Sequence, residues 1–147
     1  MKDEKAFRPG IIDILLFALS VLFFVGARTW FQVCDKMTDS GAYMTCHWAG
    51  EALKAGTLLV MCLCAVHALL PRSMKMGLDC ALMGLGVLLM RLPGGVIALC
   101  GHTDMACRAH TQPWTLVMAL LLILMSALHI CLSLSAISRA RHARREN

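Results

Sequence analysis

Charge is scarce in this chain: Asp, Glu, Lys and Arg together make up 16% of its 147 residues, against 59% hydrophobic residues. A soluble domain needs about a quarter of its residues charged to cover its surface, so the shortage excludes an ordinary soluble fold. Aromatic residues are also few, at 6%, and none is interleaved with the basic residues as a stacking platform. The net charge of +5 is therefore no nucleic-acid footprint. The sequence further lacks a nucleotide-binding motif, a long soluble domain and an acidic relay within its apolar runs, which argues against a pump acting alone. No Cys-x-x-Cys occurs in the loops between those runs, and such close pairs are the usual way to poise an active dithiol.

What is abundant is apolar length. Mean hydropathy is +0.69, and several runs approach or exceed the ~20 residues that cross ~30 Å of hydrocarbon. Spans are expected at about 11–31, 51–70, 76–99 and 114–137, with connecting loops 32–50 and 100–113, all within one domain of residues 1–147. The expected fold is all-α: an integral membrane four-helix bundle made of two duplicated helical hairpins. The first run follows a positive tail and Val25-Gly26-Ala27 is a tolerable cleavage site, as in a signal peptide. Its length and its continuation into Arg28-Thr29-Trp30-Phe31 favour an uncleaved span with an interfacial belt.

Local punctuation supports this division. Glu51 and Lys54 are spaced to pair on one helical face. Pro71-Arg72-Ser73-Met74-Lys75 is a tight connection that makes the second and third spans antiparallel neighbours. The third span carries Gly77, Gly84, Gly86, Gly94 and Gly95, and small residues allow helix backbones to approach closely in lipid. Pro93-Gly94-Gly95 should kink or break it. Basic residues concentrate in the N-terminal tail (Lys2, Lys5, Arg8), the middle connection (Arg72, Lys75) and the C-terminal Arg139, Arg141, Arg144 and Arg145. The cysteine loops hold only Lys36 and Arg108. The positive-inside rule then places both termini in the cytoplasm of a bacterial or archaeal cell and both cysteine loops outside its inner membrane.

The loops hold most of the recognisable chemistry. Of eight cysteines, Cys34, Cys46, Cys100 and Cys107 lie in or beside them. Facing an oxidising compartment, these four are expected to form disulfides, paired either within each loop or across the two. Cys62, Cys64, Cys80 and Cys131 lie within spans and are expected as small packing residues. Zn or Cu is the sharpest alternative ligand for the loops, through His47, His102, His110, Cys46 and Cys107, with Met44 and Met105 as possible extra donors to Cu(I). Within the spans, Arg28, Arg91, Asp79 and His129 are the intramembrane polar residues of note. Asp79 and both arginines are expected to reach water near a membrane face. His67 and His129, on separate spans, are a pair that could ligate haem.

Cys34…Met44-Thr45-Cys46-His47-Trp48 followed by Cys100…Met105-Ala106-Cys107-Arg108…Thr111 resembles an uncharacterised bacterial and archaeal four-span membrane family. That family is a domain of unknown function marked by a Cys-His and a Pro-Cys motif; Ala106 stands where its proline is expected. The resemblance spans nearly the whole chain and implies an accessory subunit beside an ABC-type transporter permease. The leading expectation is thus a non-enzymatic multi-pass protein with disulfide-stabilised outer loops and no cofactor. The alternatives are a quinone-linked thiol-disulfide oxidoreductase and an outer-face metal-handling or sensing protein.

Overall fold

The computed structural model describes residues 10–31, 33, 41–99 and 105–145. It contains α1 (Ile11–Thr29), α2 (Thr45–Leu69), α3 (Arg72–Arg91) and α4 (Gln112–Arg145). A wide turn, Leu92–Val96, continues α3, and another, Cys107–Thr111, leads into α4. These form four helical stretches long and apolar enough to cross a membrane, as the sequence predicts. α1 packs on α2, α2 on α3, α3 on α4, and α4 closes the ring against α1. The result is an antiparallel four-helix bundle with a turn end (around Pro71) and a loop end.

Several boundaries differ from expectation: α3 already starts at Arg72, and the largest extensions are at α2 and α4. α2 begins at Thr45, so residues 45–50 of the expected loop are helical. Cys46, Ala49 and Gly50 are buried there, and that packing extends the helix past the apolar stretch proper. α4 runs to Arg145 because no proline or glycine follows Pro113 and the Ala/Arg-rich tail has good helix propensity. The break in the third span is where expected. Pro93 has ψ 115° and Gly94 has φ 88°, a left-handed conformation that glycine adopts without penalty. Of the glycines expected to bring helices together, Gly86 does so: a Cβ there would meet Ile123 Cγ1 at 2.8 Å and the Ala119 carbonyl at 3.4 Å. Gly77 and Gly84 have nothing within 4 Å.

The bundle is apolar outside and carries polar residues within an otherwise hydrophobic interior. Leu15, Leu22, Leu59, Val87, Leu120 and Leu124 face outward, as a hydrocarbon solvent requires. The interior core of Leu16, Phe23, Leu53, Val60, Leu82, Leu89 and Leu122 is joined by buried Asp13, Ser20, Thr57, His67, Lys75, Asp79, Thr115 and Ser126. Buried positions repeat at alternating three- and four-residue steps, the seam of a near-parallel bundle. On α1 they are Asp13, Leu16, Ser20, Phe23 and Ala27; on α2, Leu53, Thr57, Val60, Cys64 and His67. On α3 the same spacing joins Lys75, Asp79, Leu82 and Leu89. All three seams turn ionisable at the turn end.

A buried carboxylate-histidine centre

Asp13 lies in the first turn of α1, where its Oδ2 accepts the Gly10 backbone N–H at 2.8 Å. That bond satisfies one of the orphan donors of a helix start, which fixes the carboxylate. The same oxygen accepts from Lys75 Nζ of α3 at 2.5 Å. Its other oxygen, Oδ1, faces two imidazoles: His67 Nδ1 of α2 at 3.3 Å and His129 Nε2 of α4 at 3.8 Å. Asp79 of α3 closes the centre from the opposite side. Its Oδ1 stands 3.0 Å from His67 Nε2, and its Oδ2 hydrogen-bonds His129 Nδ1 at 2.7 Å. The two imidazoles meet edge to face with centroids 5.0 Å apart. Each helix of the bundle thus contributes at least one ionisable group.

Burial makes this cluster chemically consequential. Asp79 is 0% exposed, His67 1%, Asp13 3% and Lys75 5%, while His129 is half-buried. Charges so placed are costly unless paired. Two carboxylates against one ammonium leave the centre one positive charge short when both imidazoles are neutral. Hydrogen bonding is also incomplete. Asp13 Oδ1, Asp79 Oδ1 and both nitrogens of His67 have no partner in hydrogen-bonding alignment, despite their close approach. A buried polar atom without a partner costs about 1–3 kcal/mol, so these four atoms are the open valences of the centre.

Several expectations change here. Asp79 does not reach water near a membrane face; it is held inside the bundle by His67 and His129. The spans do contain embedded acidic groups, Asp13 and Asp79, contrary to the sequence reading. The sequence reading places Asp79 at water because it lies near the end of an apolar run, whereas the seam register turns it inward. The His67–His129 rings are already in contact, with carboxylates around them and no gap for a porphyrin plane. Asp13 carries no sequence expectation and Lys75 only that of a basic residue in the connection, although the three-four spacing that buries Leu16 and Leu82 also points to both.

The loop end is different. Cys34, Cys100 and His102 lie outside the described residues. Cys46 and Cys107, from the two loops, are both buried and share one apolar cluster with Val33, flanked by Met44, Leu99 and Met105. Among the described residues no two cysteines stand at disulfide distance. His47 stacks on Tyr43 at 4.2 Å and His110 is exposed; neither joins a group of metal-ligating residues among those described. Arg28 lies over the Phe24 ring at 4.8 Å and lines a charged recess with Glu51 and Lys54. Glu51 and Lys54 pair at 2.7 Å as expected, and Arg91 is exposed beside the Pro93 break.

Four apolar spans around a buried carboxylate-histidine-lysine centre define a multi-pass membrane protein with an interior polar site. The chain belongs to the family described as Domain of unknown function (DUF4418), which matches residues 16–132. That range contains His67, Lys75, Asp79 and His129 and begins three residues after Asp13. No curated protein and no solved structure matches the chain.

Proposed function

We propose that this protein is a non-enzymatic multi-pass membrane protein that works by taking up a cation at the buried centre of Asp13, His67, Lys75, Asp79 and His129. One observation carries the reading: a nearly water-free cluster whose fixed charges leave it one positive charge short, with four buried polar atoms unaligned. A low-dielectric site in that state gains more from an added positive charge than any exposed group does. The distribution of basic residues supports placing this end of the bundle on the cytoplasmic side of the inner membrane. The accessory role beside an ABC-type permease forms the remaining part of the proposal. It rests on family resemblance alone and is tested by co-purification of a larger membrane partner.

The central claim is tested by thermal unfolding of the purified chain in lipid nanodiscs against a panel of Na⁺, K⁺, Mg²⁺, Ca²⁺, Mn²⁺ and Zn²⁺ salts. A ligand that binds only the folded state raises Tm in a saturable way. The expected result is such a rise for at least one ion in the wild type and its loss in Asp13→Asn, which removes a fixed negative charge. No ion-specific rise in the wild type, or an equal rise in the variant, would overturn the reading.

A further inference from the structure

We propose that the cation is a divalent first-row transition ion, such as Zn²⁺, held by Asp13 Oδ1, His67 Nδ1 and His129 Nε2; this rests on the cation-binding reading above. The three ligand atoms lie within 4.8 Å of one another, and two of their separations are 3.3 and 3.8 Å. A tetrahedral ion with bonds of about 2.0–2.1 Å needs its ligands about 3.3–3.4 Å apart. Asp13 is thus already within a few tenths of an ångström of this spacing to both rings, and the two rings, at most 4.8 Å apart at their ligand atoms, close by up to about 1.4 Å around the ion.

The surrounding groups prepare these atoms as ligands. Asp79 can only accept hydrogen bonds when ionised, so its bond to His129 Nδ1 puts the proton there and leaves Nε2 with a lone pair. Its other oxygen stands 3.0 Å from His67 Nε2, so a small ring rotation that aligns this contact would put the proton of His67 on Nε2 and leave Nδ1 as the donor atom toward Asp13. One carboxylate behind two metal-binding imidazoles is the arrangement that fixes tautomer and ring orientation around protein-bound metals. Lys75 and the Gly10 N–H both engage Asp13 Oδ2, which reserves Oδ1. Both Asp13 Oδ1 and His67 Nδ1 are buried without an aligned partner, as metal ligands are when described without their ion.

The donor set also selects the ion. Two imidazole nitrogens and one carboxylate oxygen suit borderline ions such as Zn²⁺ or Fe²⁺, whereas Ca²⁺ and Mg²⁺ favour all-oxygen sites and Cu(I) favours sulfur. Three protein ligands leave a fourth position open, which distinguishes exchangeable sites from closed structural ones. Charge agrees with this. A divalent ion reverses the deficit of one to an excess of one, which a monoanion in the open position neutralises. His129 is the partly exposed member and supplies the way in.

The test uses the full chain in nanodiscs, stripped with chelator and titrated with Co²⁺ as a visible-absorption probe and with Zn²⁺ by elemental analysis. The expected result is one ion per chain with tetrahedral Co²⁺ bands. His67→Ala and His129→Ala should abolish binding, Asp79→Asn should weaken it about 10–100-fold, and Cys107→Ser should leave it unchanged. X-ray absorption on the Zn²⁺-loaded wild type needs no variant to fold; it should show nitrogen and oxygen neighbours and no sulfur. Sulfur in that shell, or binding that survives both histidine changes, would overturn the site assignment. Stabilisation by Na⁺ or Mg²⁺ with no Co²⁺ or Zn²⁺ uptake would overturn the inference while leaving the cation-binding reading standing. No stabilisation by any ion would overturn both.

Discussion

The two ends of the bundle exchange the roles their sequences suggest. The loop end carries cysteines, histidines and methionines in polar surroundings, yet it buries Cys46 and Cys107 among Val33, Met44, Leu99 and Met105 as an apolar plug. The turn end reads as a bland connection, yet it gathers two carboxylates, two imidazoles and an ammonium out of water. Residue type alone therefore says little about where chemistry is done. What separates the ends is whether the helical seam carries a polar residue inward and whether partners from other helices meet it there. At the turn end all four helices converge on one point; at the loop end the charged residues Arg28, Glu51 and Arg91 remain exposed.

The largest consequence of this contrast falls on Lys75. Lys75→Met leaves Asp13 buried without its ammonium, and breaking a buried pair in this way costs about 3–5 kcal/mol. The double variant Asp13→Asn/Lys75→Met removes both charges and should recover most of that loss, because an uncharged, well-packed pair avoids the desolvation cost. Unfolding in mixed micelles, followed by circular dichroism, reads both. A single variant as stable as wild type would mean that the turn end is effectively solvated and the comparison collapses.

At the loop end the corresponding change is smaller. Cys107 is fully buried in apolar surroundings, so Cys107→Ser places a hydroxyl where no partner is arranged, at about 1–3 kcal/mol. Cys107→Ala removes only the sulfur and should cost less than Ser. The same unfolding assay orders the three proteins. Serine tolerated better than alanine would show a polar environment around residue 107 and return the loop cysteines to consideration as ligands.

Much of the fold was legible because membrane spans announce themselves by length, and Pro93-Gly94 by its backbone chemistry. The centre was only half legible, for a reason visible in Asp13 and Lys75. Each lies within a turn or so of a span boundary, where a charge normally reaches water, so its position along the chain argues for exposure. The direction of its side chain is set instead by the seam. Asp13 lies three residues before Leu16, and Lys75 lies four before Asp79 and seven before Leu82, so each shares a face with residues that must be inside. His67 and His129 stand out in the sequence as a pair on separate spans, but their carboxylate partners come from other helices. No spacing within one segment encodes that meeting. The convergence belongs to the tertiary arrangement, as does the shared burial of Cys46 and Cys107.

The smallest expected effect tests the same contrast from its weak side. Glu51 and Lys54 form a 2.7 Å ion pair one turn apart on α2, with 49% and 28% of their side chains exposed. Exposed helical pairs of this kind contribute about 0.3–0.5 kcal/mol, and salt screens them. Glu51→Gln should therefore shift the unfolding midpoint by no more than that amount, and added salt should shrink even this difference. The charge is the same kind of carboxylate as Asp13, and it too lies in an early turn of its helix. Only its surroundings differ, since about half of its side chain is exposed while Asp13 is buried. A loss above about 1 kcal/mol on Glu51→Gln would place the Arg28–Glu51–Lys54 recess in the same low-dielectric class as the turn end. The bundle would then hold two buried charge centres, and position along the seam would no longer be what separates its working end from its plugged one.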